Sequence, residues 1–467
     1  MTHKSLLLAY VGFVAAGFLL AFQDAAWSQE PPRPNLIFIM ADDLGYGDLS
    51  CFGQRSFPTP NIDKLAKEGL TFTDYYAGST VCAPSRCVLM TGYHTGHCLI
   101  RGNARDPLRP EDVTVAEVLK KAGYTTGLFG KWGLGEEGST GYPTKQGFDE
   151  FYGYLNQVHA HNYYPTFLYH GNERVKLKNV VPNEGPQGNG QASEKVEYSH
   201  DLIMAEALDF VKRRRGEPFF LYLSLTIPHA NNEAGREGME VPDLGEFANK
   251  DWPAPRKGHA AMITRMDRDV GRLMQALAEY GLDKNTLVMF TSDNGPHNEG
   301  GYNATMNNSS GPLRGTKRDL YEGGIRVPMI ARWPGHIAAG QKTDLIAGHV
   351  DILPTFAALA GDSAAVPKDI DGISFAPTLL GQDSLQKKHD YLYWAFYERG
   401  GSQAVRSGHW KLVEQPYGTP PQLFDLSSDL GEKHDVAKEH PEVVARLVGD
   451  MRAAYTPSTT WKFKKGN

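Results

Sequence analysis

Residues 82 to 92 read Cys-Ala-Pro-Ser-Arg-Cys-Val-Leu-Met-Thr-Gly. Pro84 suits the first turn of a helix. That puts Cys82 at a helix N-terminus, where the backbone dipole favours anions. Arg86 falls one turn further on, able to steady a group near Cys82. On residue chemistry alone this is either a thiolate nucleophile in a basic spot or a buried cysteine ahead of a helix. A second set of residues, Asp42-Asp43 and Asp293-Asn294, offers hard oxygen ligands. Such donors suit calcium or magnesium, whereas zinc prefers nitrogen and sulfur. Asp-Asp and Asp-Asn-Gly are also good turn sequences. What sets them apart is that each pair follows an apolar run.

Those runs read as strands. Asn35 to Met40 (NLIFIM) and Thr286 to Thr291 (TLVMFT) are short and apolar, as are Tyr124 to Phe129, Pro218 to Ile227 and Val327 to Arg332. Helices are expected from a cap at Asn61 through Lys67, over Thr114 to Ala122, over His259 to Tyr280 and over Asp351 to Leu359. This alternation predicts an α/β sandwich around a largely parallel sheet. In such sheets ligands gather off the carboxyl ends of the strands. Four strands here end in polar residues: Asp42-Asp43, Lys131, His229 and Asp293-Asn294. Together they suggest one site. After about Gly372 the texture changes. Tyr391 to Tyr397 and Gln403 to Val413 read as strands of a meander, and Pro441 to Tyr455 as an amphipathic helix. A larger N-terminal domain is therefore expected over 33–372, and a smaller C-terminal α+β subdomain with an antiparallel sheet over 373–467.

The 467 residues are 41% hydrophobic, enough for a large core. With 54 acidic residues against 48 Lys and Arg, the formal charge of -6 leaves no nucleic-acid footprint. An anionic substrate then needs a local basic pocket. Lys4, the apolar run Leu6 to Phe22, and small residues Ala25, Ala26 and Ser28 form the pattern of a secretory signal over 1–29. Export to the periplasm or beyond the cell is expected, an uncleaved membrane anchor being the alternative. The four cysteines, Cys51, Cys82, Cys87 and Cys98, are too few for a disulfide-built scaffold.

The run from Cys82 to Gly92 resembles the signature of the type I sulfatases of the alkaline phosphatase superfamily, Cys-x-Pro-Ser-Arg followed by x-x-Leu-x-Thr-Gly. The resemblance extends from about Pro34 to the C-terminus through PTPNIDKL (58–65), FGKW (129–132), TSDNG (291–295) and RGTKRDLYEGGIRVP (314–328). It implies an alkaline-phosphatase-like α/β/α sandwich with a large mixed, mostly parallel sheet, and hydrolysis of sulfate esters. It also implies that a maturing enzyme oxidises Cys82 to formylglycine (3-oxoalanine). Calcium, with magnesium second, is implied on Asp42, Asp43, Asp293, Asn294 and the modified Cys82. In the family one hydroxyl of the aldehyde hydrate attacks sulfur and the alcohol leaves; deprotonation of the second hydroxyl then expels sulfate. By resemblance, Arg86 holds the hydrated aldehyde, Lys131 and Lys317 bind sulfate oxygens, and His229 assists the leaving alcohol.

One position departs. The family commonly has Lys-x-His where this chain reads Lys131-Trp132-Gly133, and that histidine is the usual base. Gly133 leaves room for an incoming side chain. His159 or His161, an i, i+2 pair on one side if extended, is expected to supply it, with His297 following closely on the metal ligands. Arg101, Asn103, Arg105 and the segment 156–164 are expected to border the substrate pocket. Tyr152, Tyr154, Tyr163 and Tyr164 either stack on a sugar or belong to the core. An exported sulfatase with an acidic surface fits an exo-acting enzyme on sulfated saccharides, with aryl sulfates as surrogates. The rival readings are a phosphoester or phosphonate hydrolase on the same fold, and a sulfosugar-binding protein without turnover.

Overall fold

The computed structural model describes residues 33–463. The expected signal segment, 1–29, lies outside the described residues. Sixteen strands are assigned among the described residues. In chain order they are β1 (Asn35–Ala41), β2 (Leu70–Phe72), β3 (Tyr75–Tyr76), β4 (Thr125–Lys131), β5 (Glu150–Tyr154), β6 (Phe167–His170), β7 (Glu173–Lys176), β8 (Phe219–Ser224), β9 (Thr286–Ser292), β10 (Met329–Arg332), β11 (Gln341–Thr343), β12 (Ala347–Gly348), β13 (Leu392–Phe396), β14 (Ser402–Ser407), β15 (Trp410–Glu414) and β16 (Gln422–Asp425). Helices longer than a single turn are α1 (Pro60–Glu68), α2 (Cys82–Thr91), α3 (Val115–Lys121), α4 (Ser199–Arg214), α5 (Ala254–Glu279), α6 (Ile352–Leu359) and α7 (Pro441–Ala453).

Ten strands form one sheet in the order β11-β2-β10-β9-β1-β8-β4-β5-β6-β7. Its centre, β9-β1-β8-β4-β5, is parallel, and β10, β6 and β7 run antiparallel to their neighbours towards the edges. β1 shows why the centre is apolar throughout. Leu36, Phe38 and Met40 face a core with α2, α3 and α6, while Ile37, Ile39 and Ala41 face another with α1, α4 and α5. A strand covered on both faces reads as a continuous apolar run. Register then aligns the carboxyl ends. Met40 pairs with both Ser224 and Thr291, and Gly130 also pairs with Ser224. Asp42, Lys131 and Asp293, the next residues out, are thereby delivered to one level.

The second sheet, β13-β14-β15-β16, is antiparallel. Trp394, Phe396, Ala404, Val413 and Phe424 pack into the main core, while Tyr393, Ala395, Val405, Leu412 and Leu423 meet Leu447 and Met451 of α7. The sheet is thus a wall shared between the main core and the last helix.

Several element boundaries differ from the sequence reading. Asn61 does not cap α1. The helix starts at Pro60, and Asp267 of α5 accepts the Asn61 and Ile62 N–H groups at 3.0 and 2.8 Å. Expected strand 218–227 stops at Ser224, and a turn bonded from His229 N to Thr226 O follows. Expected strand 403–413 is a hairpin, folded at Gly408, where φ is 58°. The cap of α3 is as its sequence suggests. Thr114 Oγ1 accepts the Glu117 N–H at 3.2 Å, and Glu117 Oε2 accepts the Thr114 N–H at 2.8 Å. Thr114→Ala should lower unfolding free energy by about 1 kcal/mol, read as a drop in the urea midpoint at constant slope.

Candidate active site

Cys82 is the first residue of α2 and is 2% exposed. The Ala83 N–H donates to Asn103 Oδ1 at 3.0 Å, so a residue from a distant loop satisfies part of the helix start. One turn on, Arg86 is fully buried and nearly spoken for. Its Nη1 donates to Lys131 O at 2.9 Å and to Ser224 Oγ, and its Nη2 donates to Asp293 Oδ2 at 2.8 Å. Cys82 Sγ lies 3.4 Å from Asp42 Oδ1. The four polar strand endings meet around this point. Lys131 Nζ is 2.6 Å from Asp42 Oδ2, and Lys317 Nζ is 2.8 Å from Asp43 Oδ2 and 3.0 Å from His229 Nε2. Asn294 Nδ2 donates to Asp43 Oδ1 at 2.6 Å.

Three buried carboxylates face three buried cations here, and burial sets the protonation. Burial first, then the neighbouring Asp42 carboxylate, push the Asp293 carboxyl up to about 7, against the pull of Arg86 and Lys131. Against burial, Lys131 pulls the Asp42 carboxyl down and Lys317 does the same to Asp43. Asn294 Oδ1 is buried without a hydrogen-bond partner. Asp42, Asp43, Cys82 and His229 each present a ligand atom within 4.8 Å of one another. Asp293 stands outside that tightest group because its Oδ2 faces Arg86 and its Oδ1 accepts the Asp43 N–H at 3.1 Å. The donor set is dominated by oxygen and fits a hard divalent cation.

Burial first, then Asp42, push the Cys82 thiol well above the ordinary cysteine range. Burial therefore favours the thiol over the thiolate for the unmodified side chain. Burial first, then Lys317, pull His229 down to about 3, so its imidazole is neutral. The Lys317 ammonium donates to Nε2, which leaves the proton on Nδ1, 2.7 Å from Ala230 O.

A cleft of about 250 Å³ opens over Cys82, with Lys131, His229 and Lys317 at its base. Another, of about 220 Å³, lies against Val88 and His349 and includes none of these charged groups. The chemistry belongs to the first.

Comparison with known proteins agrees with this geometry. Residues 34–362 match the family described as Sulfatase, and residues 315–455 match N-sulphoglucosamine sulphohydrolase, C-terminal. The chain belongs to the sulfatase family. It is 36% identical to human arylsulfatase A over 95% of this chain and 89% of that protein. It is 33% identical to N-acetylgalactosamine-6-O-sulfatase of Bacteroides thetaiotaomicron, covering 90% of this chain and 92% of that one. Among solved structures it is similar to Ps i-CgsB in complex with k-i-k-neocarrahexaose, with a TM-score of 0.78 and 30% identity over 92% of this chain and 95% of that chain. The protein is thus a sulfuric ester hydrolase with the alkaline-phosphatase-like fold.

Several residues of this sulfatase lie elsewhere than their sequence suggests. His159 does not reach the cleft. It is fully buried among Tyr154, Phe167 and Tyr169, both ring nitrogens lack partners, and burial pulls it down to about 3. His161 does line the cleft, stacked on His229 at 5.0 Å, with Nδ1 3.2 Å from Glu233 Oε2. Neither histidine fills the space beside Gly133, which holds the Gln157 carboxamide. Arg101 is a clasp instead of a pocket residue, donating to Cys98 O, Tyr397 Oη and Thr456 O. Asn103 and Arg105 do line the cleft. His297 stands behind His229, with Nε2 3.1 Å from Pro228 O and Nδ1 accepting the Glu299 N–H. The four tyrosines belong to the core. Sequence reasoning missed Glu299, 3.4 Å from Lys317 Nζ. Its position two residues after His297, on the loop that carries Asp293-Asn294, was the available signal.

Proposed function

We propose that this sulfatase is an exported, exo-acting enzyme that hydrolyses sulfate esters of saccharides, using a formylglycine made from Cys82 and a bound calcium ion. The observation that carries the reading is the placement of Cys82. It sits at the start of α2, in contact with Asp42, at the base of a polar cleft that also holds Lys131 and Lys317. Asn103, Arg105, Gln157 and His161 line that cleft with hydrogen-bonding groups suited to sugar hydroxyls. The names of the relatives, an N-acetylgalactosamine-6-O-sulfatase and a protein crystallised with a neocarrahexaose, support the same substrate class.

When present, the formylglycine supplies an oxygen nucleophile and calcium supplies positive charge for the sulfate oxygens. Asp42, Asp43, Asp293 and the orphaned Asn294 Oδ1 are the residues that would hold the ion. Lys131 and Lys317, which face Asp42 and Asp43 at the base of the cleft, are the ammonium groups that would bind sulfate oxygens. Arg86, fixed by Lys131 O and Ser224, keeps the start of α2 in place. His229 accepts a hydrogen bond on Nε2 from Lys317 Nζ, 3.0 Å away, so as it stands it has no proton to give and must gain one before assisting a leaving alcohol. The catalytic role falls to 33–372, with 373–467 as its buttress. Segment 1–29 directs export to the periplasm or beyond, and a maturing enzyme converts Cys82. No helix among the described residues is long and apolar enough to cross a membrane.

The test is turnover by matured enzyme on defined sulfated mono- and disaccharides, with matched aryl sulfate and aryl phosphate. Saccharide and aryl sulfates should turn over, and the aryl phosphate at least about 100-fold more slowly. A faster phosphate would overturn the assignment. Chelation of divalent cations should remove activity and lower the melting temperature by several degrees, because an ion that binds only the folded state stabilises it. Calcium should restore both better than magnesium. Activity and melting unchanged after verified metal removal would sink the calcium part.

A further inference from the structure

Gln157 follows β5 in a segment that runs beside Gly133, whose N–H donates to Leu155 O at 2.8 Å. Gly133 has a φ of 83°, and a Cβ added there would lie 1.9 Å from Gln157 Nε2 and 3.7 Å from Arg86 Cδ. The carboxamide therefore fills the volume that any side chain at position 133 needs. Its Oε1 and Nε2 are both buried, and neither has a hydrogen-bond partner. Arg86 Nε is the same, although the other guanidinium nitrogens are bonded. Nearly all buried polar groups in native proteins are paired. An unpaired carboxamide on the wall of a cleft that contains Cys82 and Lys131 marks a place for a ligand atom.

The chemistry of that ligand follows from the donor and acceptor count. A carboxamide offers both an N–H donor and a C=O acceptor. A sulfate oxygen satisfies only the donor, and an ammonium only the acceptor. A hydroxyl satisfies both. Gln157 is also neutral, so it adds no charge to a base already carrying Lys131, Lys317 and Arg86, and it does not titrate near neutral pH. It can hold a hydroxyl but cannot take its proton.

We propose that Gln157 is a positioning residue that binds a hydroxyl beside residue 82, and that its carboxamide occupies the space a side chain at position 133, already disfavoured by the φ of 83°, would need. The inference rests on the cleft being the sulfatase site. The hydroxyl belongs either to the saccharide or to the converted side chain of residue 82, and the two sources separate by experiment. Gln157→Leu keeps the volume and deletes the hydrogen bonds. If the saccharide supplies the hydroxyl, its Kd for unconverted enzyme, measured by calorimetry, and its KM for matured enzyme both rise about tenfold. An aryl sulfate without ring hydroxyls is then unaffected. If residue 82 supplies it, Kd is unchanged and kcat falls about tenfold on saccharide and aryl sulfate alike. Gly133→Ala should cost less turnover in the Gln157→Ala background than in wild type, a coupling expected of groups that compete for one volume. The melting temperature of Gln157→Leu should not fall, since no hydrogen bond within the protein is lost. Kinetics and Kd within twofold of wild type would overturn the proposal, as would a loss of activity matched by a lower melting temperature. Wild-type enzyme that turns over aryl sulfate but no saccharide sulfate defeats the substrate assignment, while the aryl sulfate arm still reads Gln157.

Discussion

Cys82→Ala should lower kcat/KM on an aryl sulfate by on the order of 10^4-fold or more, the scale on which removing a nucleophile acts. The sharper expectation is that unconverted wild-type protein, with an intact Cys82, is equally inactive. Burial and the Asp42 carboxylate hold the thiol protonated, and a thiol is a poor nucleophile. Intact mass separates converted from unconverted protein, so activity can be plotted against the converted fraction. The line should pass through zero. Cys82→Ser should resemble the alanine variant in steady turnover, because one hydroxyl replaces the two of an aldehyde hydrate. Stability should move by less than about 1 kcal/mol for either change, which keeps loss of activity from being loss of fold. Full activity in a preparation whose mass shows only cysteine would return the nucleophile to the thiol.

What is legible in the sequence is what local pattern encodes. A buried strand announces itself as an apolar run, and a charged residue at its end stands out against it. Asp42-Asp43, Lys131, His229 and Asp293-Asn294 can be gathered on that contrast alone, and register brings them to one place. The failures share a cause. An extended chain would put His159 and His161 on one side, but the segment makes a 3-10 turn from His159 to His161. The turn sends one ring into the aromatic core and leaves the other in the cleft. Arg101 bonds to Tyr397 and Thr456, partners almost 300 residues or more away, which no local pattern reveals. Gln157 and Glu299 sit in loops, where position comes from packing and not from periodicity.

Lys411→Ala should destabilise the protein by about 3 kcal/mol, the low end of the cost of breaking a buried ion pair, because Glu322 keeps Arg326 at 3.1 Å. Lys411 lies on β15 and is fully buried, with Nζ 2.8 Å from Glu322 Oε1 and 2.9 Å from Glu432 Oε1. The second contact joins charges at an angle outside that of a hydrogen bond. Against burial, Lys411 and then Arg326 hold the Glu322 carboxyl down to about 2. Burial, with the Glu322 carboxylate adding to it, pushes Glu432 up to about 7 despite Lys411. The sign of the pH effect follows. Glu432 takes up its proton more readily folded than unfolded, so its contribution is full below pH 4.5 and is lost as pH rises through about 7. Glu432→Gln should flatten the decline in stability across that window and should soften the Lys411→Ala penalty. The consequence reaches the active site. Glu322 opens the single-turn helix Glu322–Ile325, and Gly324 O accepts the N–H of Gly295, which adjoins Asn294. The antiparallel sheet thereby holds the turn that bonds to Gly295, next to Asn294. Urea denaturation should show the stability loss, and chelator titration should show weaker metal retention in Lys411→Ala at temperatures where it remains folded. Wild-type metal retention in a variant that has lost about 3 kcal/mol would mean that the sheet supports the fold without supporting the site.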